Sequence, residues 1–409
     1  MRIAINGAGV AGLSLAWWIE RYGFEVVIFE KKQKLPPEGY LINCWGSGYE
    51  VLKRMGLLDD IKDKVINLKH LKCYDHTGKN SNTVEVSSII RKNYGKFISI
   101  KRFDLLSILH KNLEKTNVVF GTSISGFKED NKGVIIERSD GKKECFDLII
   151  GADGFHSHIR SLTFKKEEYQ EIDINTYIAS FYYNHDATVH TDEDSYELFL
   201  DRDRQTSLIS LNDKETSVCT FAFDKDLVDN HPKTLQDKKD LLKSLFKGFG
   251  GKVHEILENL ENVDDMFLDN VGQVKMDSWY KGRVALTGDA SSAPTLLAGQ
   301  GSIFALCEAY ILAGELHKAK GDYKIAFAEW QSKLKDIIDD KQDNSLTNLS
   351  FFMPEEIFTR YIVSMSGNLQ SVPIFNQIFG AEVLRYSIDL PDYQHETTYS
   401  ELNTNKLRF

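Results

Sequence analysis

The chain lacks the features that mark several protein classes. Its five cysteines (Cys44, Cys73, Cys145, Cys219 and Cys307) are scattered, odd in number and never spaced as a CxxC pair. Neither a disulfide framework nor a zinc ribbon is therefore indicated. No basic tract occurs and the formal net charge is −10, which argues against nucleic acid as the main partner. No apolar run reaches membrane-spanning length. Met1 leads straight into a strand and a glycine loop, leaving no room for a secretory signal. Internal repeats and low-complexity segments are also missing. These absences predict a soluble, cytoplasmic protein without a membrane span. Its 409 residues suffice for two packed domains or one large discontinuous one.

What is present begins at the N-terminus. Arg2–Asn6 reads as a short apolar strand. Gly7, Gly9 and Gly12 follow in the spacing G-x-G-x-x-G, then a helical run, Leu13–Tyr22. Gly23 stops that helix, and a second strand, Glu25–Phe29, ends at Glu30. This is the β-α-β setting that a dinucleotide site requires. Gly7 permits the tight turn, Gly9 lets the backbone approach a pyrophosphate, Gly12 lets helix pack on strand, and Glu30 can hold ribose hydroxyls. The bland alternative is a tight βα turn that is merely rich in glycine.

A second glycine-bearing stretch lies far along the chain, at Gly282–Leu316. It reads as a strand (Arg283–Leu286), a turn with an acid (Gly288, Asp289), a loop with Pro294, a glycine pair (Gly299, Gly301) and a long helix. Strand, turn and helix N-terminus together make a place for a partly anionic ligand. Two distant segments thus read as serving one cofactor. Between them, Arg102 opens a helix after the strand end Ile98–Ile100; it could face solvent or reach a phosphate with its planar fork. Phe146–Ile150 reads as one strand running into Gly151-Ala152-Asp153-Gly154, with Ser157 and Arg160 in the first turns of a helix. His156 and His158 are spaced i, i+2 and share no helix face, so a metal is not expected there. From about Tyr177 the strands become short and rich in aromatics: Tyr177–Tyr183, Tyr196–Leu200, Ser207–Leu211 and Val218–Phe223. That texture predicts an inserted antiparallel sheet. Phe181, Phe199 and Phe223 are candidates to face a substrate, although core is the simpler role for each. Leu235–Phe249 and Tyr323–Ile338 read as helices.

These motifs, in this order, resemble the group A FAD-dependent monooxygenases of the p-hydroxybenzoate hydroxylase type. The resemblance rests on Gly7–Gly12 with Glu30, on Asp153-Gly154 with Ser157 and Arg160, and on Gly288-Asp289 with Pro294 and Gly299-Gln300-Gly301. It implies an α/β fold: a discontinuous Rossmann-like FAD domain (1–173 and 273–342) with an inserted, mostly antiparallel β-sheet substrate domain (174–272) and a C-terminal helical segment (343–409). It also assigns roles. Gly9, Ala11 and Gly12 would lie at the FAD pyrophosphate, with Glu30 and Lys31 at the adenosine ribose and Arg102 near the pyrophosphate. Asp153 would serve FAD and NAD(P)H use, and Asp289 the ribityl region. Gly299, Gln300, Gly301 and Ser302 would offer backbone N–H groups to the flavin ring. Pro294 would border the reacting face, on the substrate side.

Within the group the chain is most similar to the tetracycline destructases, on VKMDSWYKGRVALTGDA (Val274–Ala290), AGQG (Ala298–Gly301) and the helices beyond. The resemblance implies NAD(P)H and O2 as co-substrates, a flavin C4a-hydroperoxide, and transfer of one oxygen atom to a polycyclic, tetracycline-like substrate, inactivating the antibiotic. Ile357–Phe379 would be the helix that closes the cavity. No side-chain acid or base stands out as catalytic, and a monomer is expected. The chain departs from the family pattern at Ser292, where histidine is common, at Thr295 and Leu296, where a proline pair is common, at Ser302, often asparagine, and at Glu308, usually aspartate. A smaller phenol or polyketide substrate, a flavin reductase without oxygenation, and a silent ligand-binding module are the competing readings.

Overall fold

Near-continuous apolar runs, buried on both faces, build the central sheet. Arg2–Asn6, Glu25–Glu30, Leu148–Gly151 and Val284–Leu286 are almost wholly buried, the pattern a parallel sheet needs when covered on both sides. The computed structural model describes residues 1–35, 40–85, 96–184, 194–201, 203–211, 215–294, 300–347 and 388–393. Across the sheet the order is Tyr280–Lys281, Val284–Leu286, Leu148–Gly151, Arg2–Asn6, Glu25–Glu30 and Asn117–Phe120. All neighbours are parallel except the first pair. The helix Val10–Arg21 is buried along its length and packs on Glu25–Glu30 and on the helix Gly301–Lys318. Both helices are apolar all round because each is enclosed on all sides.

The expected single strand Phe146–Ile150 is in fact two. Lys143–Phe146 pairs antiparallel with Val134–Arg138 in a three-stranded sheet, and Leu148–Gly151 enters the central sheet. Asp147 makes the break: its carboxylate accepts the Arg2 backbone N–H at 2.6 Å, so the chain leaves one ladder and joins the other.

A second, seven-stranded sheet has the order Phe267–Met276, Tyr169–Asn184, Thr216–Asp224, Arg204–Ser210, Ser195–Leu200, His70–Asp75 and Asn80–Glu85. Its last two strands come from the N-terminal part of the chain, outside the 174–272 insertion read from the sequence. They join through the parallel pair Ser195–Leu200 with His70–Asp75. Tyr169–Asn184 and Phe267–Met276 are long strands that run out of the first region into this sheet. A register shift between Asp173 and Thr176, with Asn175 at φ 55°, bends the pair near the 173/174 boundary. One face of the sheet is covered by the helices Leu235–Leu245 and Lys252–Glu258. The first of these is capped by Thr234 with Asp237 and ends at Leu245, shorter than the expected Leu235–Phe249.

The helix Tyr323–Thr347 closes the described fold. The short segment 388–393 lies on Gly301–Lys318, with the Tyr393 ring in the space left by Gly314. Ile357–Phe379 and most of the expected C-terminal segment lie outside the described residues.

Candidate functional site

The motifs converge because the strands before them are neighbours. Asn6, Gly151 and Leu286 stand side by side at the carboxyl edge of the central sheet. The loops that follow, Gly7–Gly12, Ala152–Arg160 and Thr287–Pro294, therefore open onto one crevice, where open α/β sheets bind ligands.

Gly7 has φ +113°, and a Cβ there would stand 2.4 Å from the Ala152 carbonyl oxygen. A Cβ on Gly12 would stand 2.0 Å from the Gly7 carbonyl oxygen. Both glycines are required by backbone packing. Gly9 is different: a Cβ there would meet nothing within 4 Å, so this turn of the loop faces open space. It also begins Val10–Arg21, a helix with no side-chain cap. Glu30 is buried and ties the loop down, accepting the Ala8 N–H at 2.8 Å and the Lys32 N–H at 2.9 Å. Each of its oxygens keeps a further lone pair for a hydroxyl. Lys31, beside it, is exposed.

The second loop meets the first at Gly288. This residue has φ +62°, and a Cβ there would lie 2.9 Å from the Ala11 Cβ. Next to it, Asp289 keeps solvent-accessible surface although neighbouring atoms crowd its carboxyl. Burial pushes that carboxyl up from its ordinary range, and the Arg102 guanidinium opposes the shift. A Cβ on Gly301 would stand 3.3 Å from Asp289 Oδ1 and 3.9 Å from the Pro294 ring. Gly301 begins the helix Gly301–Lys318 after Gln300, again without a side-chain cap. Ser302, half-buried, is in its first turn. Gly299 lies outside the described residues.

Arg102 starts the helix Arg102–Lys111. Its Nη1 is buried and has no hydrogen-bond partner among the described residues. An unpaired buried guanidinium nitrogen is costly, and within electrostatic reach of the Asp289 loop it suits a phosphate. The donor set thus fits FAD: an open glycine loop at a helix N-terminus, a cation, a carboxylate with lone pairs to spare for hydroxyls and a second helix N-terminus.

Asp153 has a fuller set of partners than the sequence suggested. It accepts from Asn6 Nδ2 at 3.1 Å, the Ser157 hydroxyl at 2.5 Å, the His158 N–H at 2.8 Å and the Ile159 N–H at 3.1 Å. It clasps the strand edge to the helix His158–Thr163. Arg160 is buried and donates to the Ala290 and Phe155 carbonyls and to Glu171. His156 pairs with Asp269 at 3.2 Å, whereas His158 Nε2 lies 3.3 Å from the Ser125 carbonyl, so the two rings serve different elements.

Behind Asp289 sits an acid that the sequence flagged only as a departure. Glu308 is fully buried in Gly301–Lys318 and holds the turn from below. Its carboxyl accepts the Gly288 N–H at 2.6 Å and the Thr287 and Ser292 hydroxyls at 2.9 Å each. Burial pushes it up to about 7, against the pull of these three donors.

The expected substrate aromatics require a correction. Phe181, Phe199 and Phe223 have 0%, 1% and 0% of their surface exposed. They pack under the two covering helices with Phe221, Phe246 and Phe249, so they are core and line no cleft. Side chains alternate along a strand, and the face turned toward the nucleotide loops carries the intervening residues. These include Ile178, Tyr182 and Ala222, with Phe267 on the edge strand. Tyr40 lies 5.6 Å from the Phe267 ring, and Arg102 5.5 Å from Tyr40. On the same face the Tyr182 hydroxyl and Gln205 Oε1 are buried without partners among the described residues. Pro294 is buried, beside Gly301.

Comparison with known proteins agrees with this geometry. A family described as an FAD binding domain matches residues 1–321, and the chain belongs to that family, as a group A FAD-dependent monooxygenase. A flavin-dependent monooxygenase of Legionella longbeachae is 32% identical over 370 residues, covering 87% of this chain and 91% of that protein. Among solved structures, tetracycline destructase Tet(51) superposes with a TM-score of 0.80 at 27% identity, over 96% of this chain and 99% of its own. Tetracycline destructase Tet(55) gives 0.79 at 28% identity, over 96% and 98%.

Proposed function

We propose that this monooxygenase uses NAD(P)H and O2 to place one oxygen atom on a polycyclic, tetracycline-like small molecule, and so inactivates it. The likeness to the two destructases carries the reading. It extends over 96% of the chain, beyond residue 321 where the family match ends. The aromatic and polar sheet face supports it as well. Tyr40, Tyr182 and Phe267 offer flat apolar contact, and the Tyr182 hydroxyl and Gln205 amide offer buried polar groups for ring oxygens.

FAD, when bound, supplies the electron transfer and the oxygen activation. The chain's own residues bind, orient and exclude water. The Gly9 turn and the first turn of Val10–Arg21 take the pyrophosphate, and Arg102 adds its charge. Glu30 accepts from ribose hydroxyls while its other lone pairs hold the Ala8 and Lys32 N–H groups. Asp289 presents its carboxyl to the ribityl hydroxyls. The uncapped N-terminus at Gly301–Ser302 would place free backbone N–H groups and a positive dipole end at the flavin-ring end of the site, favouring negative charge there. Asp153 orders the crevice wall through its four donors. No side chain here has to move a proton to substrate; positioning and dryness are the protein's contribution.

The test is purified protein with FAD, NADPH and a tetracycline, followed by mass spectrometry against a control without NADPH. A product heavier by one oxygen atom supports the reading. Unchanged drug from flavin-loaded protein that NADPH reduces would refute the substrate class and favour a smaller aromatic. Asp289→Ala is expected to lose FAD on purification; a full flavin complement in that variant would overturn the role given to Asp289.

A further inference from the structure

Two buried glutamines hold the loop that borders the crevice, and neither belongs to the motifs that mark the cofactor site. Gln273, on Phe267–Met276, is 0% exposed, and Gln342, near the end of Tyr323–Thr347, is 1% exposed. Gln273 Nε2 donates to the Pro294 carbonyl at 2.8 Å and to the Gln342 main-chain carbonyl at 2.8 Å. Gln342 Nε2 donates to the Val274 carbonyl at 2.7 Å and to the Ala293 carbonyl at 2.9 Å. The Val274 N–H adds a bond to the Ala293 carbonyl at 3.2 Å. All four amide contacts are to carbonyl oxygens, so the orientation of each side-chain amide is dictated: flipping either would set oxygen against oxygen.

Val271, Val274 and Ala293 are buried beside the pair. If the site only needed filling, leucine or methionine would fill it without the desolvation that two amides incur. The amides are useful where a loop must be fixed without a ladder. Ala293 and Pro294 lie outside any helix or strand, yet Pro294 stands beside Gly301, and Gly301 beside Asp289. The pair also ties together a strand from the second sheet, the Asp289 loop and the helix that leads toward the C-terminal segment.

We propose that Gln273 and Gln342 are positioning residues that lock the backbone of Ala293–Pro294 against the crevice, so that the flavin-ring end of the site has one conformation. The proposal rests on the FAD site described above and not on the identity of the substrate. Its consequence is that loosening the pair weakens the grip on the cofactor without removing any group that touches it.

The experiment compares Gln342→Leu, Gln342→Asn and Gln331→Leu with wild type, each loaded with FAD. Gln331 is the control. It lies on the same helix, accepts the Trp279 N–H at 2.8 Å and donates to the Asp277 carbonyl at 3.1 Å, and so docks the helix away from the loop. Hydrogen exchange followed by mass spectrometry reports on the peptide 288–294, where the Ser291 and Ser292 N–H groups bond to the Gly288 carbonyl. The flavin dissociation constant and the visible band shape of the bound flavin are read on the same samples. Gln342→Leu is expected to speed exchange in that peptide roughly tenfold and to weaken FAD binding by a similar factor, the equivalent of about one lost buried hydrogen bond. Gln342→Asn, one methylene too short to reach both carbonyls, should show the same changes together with a lower melting temperature; it serves if the leucine variant does not fold. Gln331→Leu should lower the melting temperature and leave exchange, affinity and band shape unchanged. If the Gln342 variants lose melting temperature but match wild type in the other three readouts, the pair is structural glue and the proposal fails. None of these readouts needs turnover, so failure of the tetracycline reading would leave this test intact.

Discussion

Glu308 offers a prediction with a sign and a size. Its carboxyl is raised from 4.5 to about 7, chiefly by burial, with the Gly288 N–H and the Ser292 and Thr287 hydroxyls lowering it and Asp289 raising it. A raised folded-state value means that the stability this group contributes is fully present below about pH 4.5 and is lost as pH rises through about 7. The difference between those values corresponds to an ionisation penalty on the order of 3 kcal/mol, fully developed above neutrality. Glu308→Gln keeps the shape and removes the ionisation. Its carbonyl can still accept from Gly288 and Thr287, and its amide N–H can donate to Ser292. The assay is urea unfolding of apo wild type and variant at several pH values between 5 and 8, where titrating groups that do not interact with Glu308 cancel in the difference and Asp289, which does, is the one that adds to it. Wild type should gain roughly 2–3 kcal/mol relative to the variant on going from pH 8 to pH 5. A difference that stays flat over that range would refute the argument that Glu308 is a buried, titrating clamp. Glu308→Leu should be worse than glutamine at every pH, because the Gly288 N–H and two hydroxyls lose their acceptor, each at about 1–3 kcal/mol.

The cofactor site makes two further predictions. Arg102→Met removes a buried, unpartnered guanidinium nitrogen, so apo stability in urea should hold or rise slightly. FAD affinity by fluorescence titration should fall about ten- to hundredfold, the worth of a charge-assisted bond; equal affinity would remove Arg102 from the site. Gly12→Ala places a methyl where the Gly7 carbonyl oxygen stands 2.0 Å away. It should cost about 1–3 kcal/mol by apo thermal melts and release FAD, and a melt matching wild type would show that the loop has room to shift.

How much was legible depended on whether a residue's task is local. The glycine turn, Glu30 and the Gly288-Asp289 turn could be found because backbone geometry restricts which residues fit, and Gly7, Gly12 and Gly288 answer to named atoms a short distance away. The sheet faces could not be found. Tyr169–Asn184 and Thr216–Asp224 are buried on both sides along much of their length, so alternation carries no label for which face meets helices and which meets the crevice. Choosing Phe181, Phe199 and Phe223 selected one register, and the covering helices lie on that side. The amphipathic run at Leu235 was the available hint, since its apolar stripe must bury against one face of the neighbouring sheet.

The sequence alone determined the class of site. The three motifs, each a loop after an apolar run, require a nucleotide-binding crevice wherever those runs become adjacent parallel strands. Tertiary structure decided what no spacing could encode. It set Ala11 against Gly288 across 277 positions of chain, recruited His70–Asp75 and Asn80–Glu85 to the second sheet, and placed Glu308, Gln273 and Gln342 behind the loops. Such residues act through contacts between elements remote in sequence. A buried glutamate or glutamine has no local signature, because its partners are backbone groups that every residue possesses.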